Sequence, residues 1–256
     1  MSHPNLVALG TIARREVSRI LRIWSQTLVP PAITMTLYFL IFGGLIGRQI
    51  GQMDGVNYMA FIVPGLVMMS VIQNSYGNIS SSFFGAKFGR YIEELQVSPM
   101  PNWVILGGYI AGALLRGLMV GAIVMCIALL FTRLHVPHPF ITLASVFLGA
   151  VIFSLAGFIN AVFAKKFDDV AIVPTFILTP LTYLGGVFYS VKLLPEWAQT
   201  LTHLNPIFYM VNAFRYGLLG VSDVPLWTSF ALMLAFVVVL ASIALWLMKR
   251  GTGMRS

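Results

Sequence analysis

The chain has 256 residues, of which 58% are hydrophobic and only 9% charged, and its mean hydropathy is +0.88. This composition excludes an ordinary soluble domain. A formal net charge of +8 can indicate nucleic-acid binding, but most Lys and Arg residues here flank apolar runs, where they anchor to lipid headgroups. We therefore expect a multi-pass membrane protein that contacts lipid and binds no nucleic acid.

Residues 5–25 predict an amphipathic helix before the first apolar span. Apolar side chains recur there at helical spacing, with arginines on the opposite side. The apolar set is Ala13, Val17, Ile20, Leu21 and Trp24, and the basic set is Arg15, Arg19 and Arg22. The pattern fits a helix lying in the headgroup plane, and the alternative is a basic flank without a fixed helix. The first apolar run lacks a following small-x-small cleavage site, so we expect it to stay as an anchor.

The apolar pattern predicts an all-α polytopic membrane protein with six transmembrane helices. The predicted spans are about 27–46, 57–84, 103–131, 140–164, 170–190 and 226–248. The loops on the side of the termini carry eleven Lys and Arg residues, against four on the opposite side. The positive-inside rule then predicts that both termini are cytoplasmic.

The predicted fifth span is interrupted, and two helices too short to cross a bilayer follow it. Pro174 and Pro180 break the backbone hydrogen bonding, and Gly185-Gly186 loosen it further. Two short apolar helices are predicted to open at Pro195-Glu196 and at Asn205-Pro206, each shorter than the ~20 residues that a span needs. We expect residues 191–220 to form an external re-entrant helical hairpin between spans 5 and 6.

Five short motifs in this region occur in a fixed order. They are Thr179-Pro180-Leu181, Gly185-Gly186-Val187-Phe188, Leu194-Pro195-Glu196-Trp197, Asn205-Pro206 and Arg215. Together they resemble the membrane signature of ABC-2-type permeases, the membrane subunits of ATP-driven exporters such as drug, nodulation-factor and polysaccharide export permeases. The resemblance implies one transmembrane domain over residues 1–256 in a bacterial inner (plasma) membrane. It also implies an external gate at Pro180, Gly185, Gly186, Trp197, Asn205, Pro206 and Arg215.

The same resemblance implies partners. A separate cytoplasmic ABC ATPase subunit, in two copies, would bind the ATP and Mg²⁺, so that this chain needs no cofactor, and a second copy of the chain would complete a homodimer. The expected substrate is an amphiphilic or lipid-like molecule, a drug or a glycan. The sequence does not distinguish among these classes. Aromatic residues of the hairpin region are expected to be interfacial anchors, with a gate or substrate surface as the alternative.

A coupling helix is predicted at about 86–99, in the loop after span 2. Arg90, Glu93 and Glu94 fall at helical spacing there, and Pro99 and Pro101 end the helix. Composition alone favours a solvated turn held by an Arg90–Glu94 pair worth about 0.2–0.5 kcal/mol. The resemblance instead implies that Glu93 and Glu94 dock on the ATPase, supported by Arg90.

Arg116 is predicted deep inside span 3, where an ionisable group suggests a function. Its candidate partners are backbone carbonyls, Asn74, Asn160 or the substrate, and a structural role and a substrate role are both open. Arg116, Asn74 and Asn160 are therefore the candidate residues of a substrate path. Small residues spaced four apart in the same span, such as Gly108 and Gly112, favour close helix packing.

The sequence offers no support for catalysis. No lysine follows a glycine, so the chain lacks a P-loop, and the His135-x-x-His138 pair lacks a third ligand for a metal.

The first alternative function is an ion-gradient-driven secondary transporter, which is disfavoured because no acid lies within a predicted span. The second is an intramembrane enzyme, which is disfavoured because no nucleophile–base pair is visible.

Overall fold

A computed structural model describes residues 4–253, and these residues are almost entirely helical. Twelve α-helices are found in this part of the chain: α1 Pro4–Arg22, α2 Trp24–Tyr38, α3 Gly47–Ile50, α4 Tyr58–Phe88, α5 Tyr91–Val97, α6 Asn102–Phe131, α7 Pro139–Phe163, α8 Phe167–Val173, α9 Thr179–Tyr183, α10 Glu196–His203, α11 Pro206–Leu219 and α12 Leu226–Arg250. Two-residue strands, β1 Gln52–Met53 and β2 Val56–Asn57, pair antiparallel with Gln52 opposite Asn57. The predicted all-α class is therefore confirmed.

Within residues 4–253, five helical stretches are long and apolar enough to cross a membrane. They are Trp24–Ile50, Tyr58–Phe88, Asn102–Phe131, Pro139–Phe163 and Leu226–Arg250. The first joins α2 to α3 through a π-helical segment, Phe39–Ile46. The predicted count of six spans is not confirmed by these five stretches.

The predicted fifth span, 170–190, is a broken helix. A π-helical segment, Pro174–Leu178, joins α8 to α9, and the helical path ends at Tyr183. Both prolines stand at the starts of helical segments, because proline lacks the N–H that a helix interior uses. Residues 167–183 rise about 25 Å at ~1.5 Å per residue, somewhat short of a ~30 Å hydrocarbon core.

The centre of the bundle is α4, whose side chains are buried along most of its length. It packs mainly against α6 and α7, and glycines allow close approach on both sides. A Cβ at Gly117 or Gly121 of α6 would collide with Ser75 or Val71 of α4, and one at Gly157 of α7 would collide with the Tyr76 carbonyl. The small residues of the third span thus face neighbouring helices.

The N-terminal helix α1 runs alongside α6 and in the same direction. Gly108 of α6 faces Ile12, and Gly112 faces Glu16 one turn further along both helices. The buried face of α1 is Ile12, Glu16 and Ile20, so it differs from the predicted apolar face, of which Leu21 and Trp24 are exposed. Helix α1 therefore packs lengthwise against α6, and its predicted position in the headgroup plane stays a prediction.

Charged groups fix the helix ends on one side of the bundle. This side carries the termini, and we call it the termini side. The backbone N–H groups of Lys165 and Lys166 donate to the Asp169 carboxylate at 2.8 and 3.0 Å. These bonds hold the pKa of this exposed carboxyl below its usual range and cap the start of α8. Buried Lys87 donates to the carbonyl oxygens of Val162 and Ala164 at the end of α7, at 2.7 and 2.8 Å.

Candidate functional site

The helix observed at the predicted coupling position is shorter than the prediction. Helix α5 covers Tyr91–Val97, whereas the prediction covered 86–99. Residues 86–88 belong to α4, which continues until Gly89, and Arg90 then adopts a left-handed conformation with φ of 61°. This turn separates the two helices and changes the chain direction.

Helix α5 is attached to the bundle on one face and open on the other. Ile92 is buried in the core beneath it, while Glu93, Glu94 and Arg90 are exposed. Within the described part of the chain, no ion pair joins Arg90 to Glu94, so the proposed turn-stabilising pair does not form. The exposed face also holds large apolar side chains: Tyr91 is more than half exposed, and Val97 is 87% exposed.

A buried polar cluster joins α1 to α4. Glu16, only 1% exposed, accepts hydrogen bonds through Oε2 from Arg19 at 2.9 Å and from Ser82 at 2.7 Å. Arg19 also donates to Asn78 Oδ1 at 2.9 Å. Sequence reasoning missed this cluster because Glu16 lies before the first apolar span, and only its i, i+3 spacing from Arg19 gave a signal.

Arg116 and Asn74 line the same cleft. The cleft, of about 300 Å³, lies between α2, α4 and α6, and its walls are Gln26, Pro30, Pro31, Thr34, Met35, Ser70, Gln73, Asn74 and Arg116. Asn160 lies outside it and donates to the Val170 carbonyl oxygen at 3.2 Å. The structure therefore brings together two of the three residues predicted for a substrate path.

Arg215 occupies the centre of the hairpin region and is almost fully buried, at 1% exposed. Its Nη2 donates to the carbonyl oxygen of Gly186, and its Nη1 lies 3.4 Å from Asp223 Oδ2. Its guanidinium also lies 4.1 Å from the ring centroid of Phe61 on α4. Gly186 has φ of +70°, a conformation that glycine adopts without steric cost. Arg215 thus connects three segments: α11, the Gly185-Gly186 turn and the loop after α11.

Asn205 joins the second short helix to the end of the broken span. Its Oδ1 accepts from the Ile207 N–H at 3.0 Å, which caps α11, and its Nδ2 donates to the Leu181 carbonyl at 2.6 Å. Pro206 takes the first helical position, as predicted. Pro180 and Trp197 are exposed, and Trp197 lies on the outer face of α10.

Two further residues of the hairpin region were not predicted. Buried Asn212 accepts from the Asp223 N–H at 2.7 Å and donates to the Val224 carbonyl at 3.1 Å, which fixes the turn into α12. Asp223 lies between Arg215 and Lys192, the latter at 3.5 Å. The only sequence signal for the pairing of Asp223 with Arg215 was their spacing of eight residues.

An aromatic cluster lies beside the turn. Tyr38 and Tyr183 share a hydrogen bond of 2.7 Å between their hydroxyl groups, and Phe188 stacks near Tyr38, Phe42 and Tyr183. The cluster joins the first span to the end of the broken span.

The polar groups of the bundle form no metal site in the described residues. Between residues 4 and 253, no group of three or more His, Cys, Asp or Glu side chains is placed to hold a metal ion. The polar groups instead join helices to one another at both ends of an apolar bundle. Long apolar helices packed around the buried helix α4 define a multi-pass membrane protein.

Comparison with known proteins gives the family. The family model described as ABC-2 type transporter matches residues 7–219. The chain is 58% identical to the inner membrane transport permease YadH of Escherichia coli (strain K12) over 257 residues, covering 100% of both chains. It is 27% identical to nodulation protein J of Sinorhizobium fredii (strain NBRC 101917 / NGR234) over 185 residues, 72% of this chain and 70% of that protein. With nodulation protein J of Rhizobium leguminosarum bv. viciae the identity is 23%, over 72% and 71% of the two chains.

This chain belongs to the ABC-2 type transporter family and is a membrane transport permease. The predicted family resemblance is confirmed.

Proposed function

We propose that this chain is the transmembrane subunit of an ABC exporter in a bacterial inner membrane, with both termini in the cytoplasm. Two copies pair, and each binds one copy of a separate ATPase subunit that holds the ATP and Mg²⁺. The transported substrate is an amphiphilic or lipid-like molecule, a drug or a glycan. Family membership and the likeness to an inner membrane transport permease support this function.

The observation that carries the proposal is the exposed face of α5. Two acids and large apolar side chains point away from the bundle on a helix that is anchored by Ile92. Exposed apolar side chains of this size on a short helix are typical of a surface that a protein partner covers. A helix held at both ends by spans transmits a push from that partner to α4 and α6.

The hairpin and the aromatic cluster form the external gate in this proposal. Arg215 and Asn205 hold the hairpin to the end of the broken span, so that the two move together. The hydroxyl pair Tyr38–Tyr183 closes the outer end between the first span and α9. Closure of the ATPases on ATP displaces α5, and the spans separate at this outer contact to release substrate.

Co-purification tests the proposal. The chain is co-expressed with candidate ABC ATPase subunits of the same genome, and vanadate-sensitive ATP hydrolysis is measured in the purified complex. The double variant Glu93→Ala/Glu94→Ala is expected to lose the ATPase subunit. Glu196→Ala, an exposed acid of the hairpin, is the matched control and is expected to retain it.

Two outcomes contradict the proposal at different levels. If no ATPase associates with the wild-type chain, the exporter assignment fails, and an ion-gradient-driven transporter becomes the better account. If an ATPase associates equally with the wild type and the double variant, the exporter stands but Glu93 and Glu94 are not docking residues. Crosslinking of the purified permease then separately tests the homodimer.

A further inference from the structure

We propose that the cleft lined by Arg116 binds the phosphate of an amphiphile's headgroup. The cleft lies between α2, α4 and α6 and has room for such a group, at about 300 Å³. The proposal deepens the function proposed above but does not depend on the ATPase partner.

The first argument is the lack of an internal partner for Arg116. Within residues 4–253, no hydrogen bond or ion pair reaches this side chain, and its Nε is buried without a partner. The carbonyl oxygens considered above as structural partners are therefore not used. A buried guanidinium donor without an acceptor costs free energy, which an acceptor from outside the protein recovers.

The second argument is charge. Arg19 lies close enough to Arg116 to act on it as a like charge. The carboxylate of Glu16 is already paired with Arg19 and bonded to Ser82, and the residues that line the cleft include no acid. One positive charge is thus left without a counter-ion in a membrane protein, and an anion neutralises it.

The third argument is the set of neighbouring donors. Arg116 presents a planar guanidinium, which matches the geometry of a phosphate with two parallel N–H donors. Gln73 and Gln26 add side-chain amides on two other walls of the cleft. Donors from three helices around one opening suit a tetrahedral oxyanion.

The fourth argument is depth. Asn74 lies 16 residues after Tyr58, about 24 Å along α4, and Arg116 lies 15 residues before Phe131, about 22 Å along α6. The same two residues lie 14 residues, about 21 Å, from the termini-side ends of α4 and α6, so the cleft is near the middle of both helices. An unpaired cation at that depth is costly, which favours an anionic occupant.

Lipid binding to the purified permease tests the proposal. Native mass spectrometry measures retention of phosphatidylglycerol and of a diacylglycerol with identical acyl chains, which lacks the phosphate. The wild type is expected to prefer phosphatidylglycerol, and Arg116→Gln to bind it at least about tenfold more weakly. Arg133→Gln, an exposed arginine beyond the other end of α6, is the matched control and is expected to bind like the wild type.

Further measurements distinguish a transported lipid, a resident lipid and a free anion as the origin of the bound phosphate. If phosphatidylglycerol stimulates ATP hydrolysis by the assembled wild-type transporter but not by Arg116→Gln, the cleft receives cargo; if hydrolysis is unchanged, the cleft holds a resident lipid. Both results support a headgroup site. Displacement of the lipid by millimolar inorganic phosphate indicates a free-anion site and overturns the headgroup assignment.

Two results overturn the proposal even if one variant fails to fold. The first is a wild-type permease that shows no preference for phosphatidylglycerol over the diacylglycerol. The second is Arg116→Gln, or Arg116→Met in its place, binding phosphatidylglycerol within twofold of Arg133→Gln. Because the permease is tested alone, these failures are distinct from a failure to find an ATPase partner.

Discussion

Arg215 Nη2 donates a hydrogen bond to the carbonyl oxygen of Gly186, 29 residues earlier in the chain. This bond joins the second short helix of the hairpin to the glycine turn that ends the broken span. The guanidinium also faces Asp223, so the hairpin, the turn and the loop before α12 share one buried charge. Two motifs that the sequence shows as separate are therefore one structural unit.

Arg215→Ala is expected to destabilise the protein by about 3–5 kcal/mol, because it leaves Asp223 and the Gly186 carbonyl without a partner in a buried site. The measurement is thermal unfolding in detergent. Arg133→Ala removes an exposed arginine and is expected to change stability by no more than about 0.5 kcal/mol. Equal effects of the two substitutions would show that the buried contacts of Arg215 contribute no stability.

Gly112→Ala is expected to loosen α1 from α6. A Cβ at Gly112 would lie about 2.5 Å from Glu16 Cβ, so the helices must move apart, at a cost of about 1–3 kcal/mol. Gly77→Ala of α4 is the control, because no atom lies within 4 Å of a Cβ there. Since alanine favours helix over glycine by about 1 kcal/mol, this control should be neutral or stabilising.

Thermal unfolding of these two variants gives opposite signs if the packing argument holds. Limited proteolysis near residues 22–24, where α1 meets α2, gives an independent reading, since a detached α1 exposes that junction. Equal cleavage of Gly112→Ala and Gly77→Ala would contradict the proposed contact.

The all-α class and the starts of several helices were predictable because each depends on local sequence. Asn205-Pro206 is an example: Asn caps and Pro fits the first turn, whatever surrounds them. The buried pairing of Glu16 was not predictable, because it depends on Ser82 and Asn78 of another helix. The length of α5 was overestimated because the left-handed turn at Arg90 carries no strong sequence signal in a non-glycine residue.

Glu16→Ala is expected to weaken the attachment of α1 to α4, because Arg19 and Ser82 lose their shared acceptor. Removing one partner of a buried, hydrogen-bonded ion pair costs about 3–5 kcal/mol, and the partial exposure of Arg19 places the effect at the lower end of that range. The measurement is thermal unfolding together with proteolysis at the junction of α1 and α2. Glu196→Ala, an exposed acid, serves as the control. If Glu16→Ala unfolds at the temperature of that control, the cluster has no structural role.

Lys87→Met is expected to destabilise the termini-side end of α7. Lys87 donates charge-assisted hydrogen bonds to the carbonyl oxygens of Val162 and Ala164, and methionine keeps much of its length but neither bond. Such bonds are worth about 1.5–3 kcal/mol each, and a cation at a helix C-terminus also stabilises the helix dipole.

The matched control for this substitution is Lys165→Met, because Lys165 is exposed in the next loop. Thermal unfolding compares the two, and hydrogen exchange at residues 160–164 shows whether the end of α7 opens. Since Lys87 lies one turn before α5, Lys87→Met is also expected to lower ATP hydrolysis in an assembled transporter, while Lys165→Met leaves it unchanged. Unaltered exchange at the end of α7 would mean that its last carbonyl groups are held without Lys87.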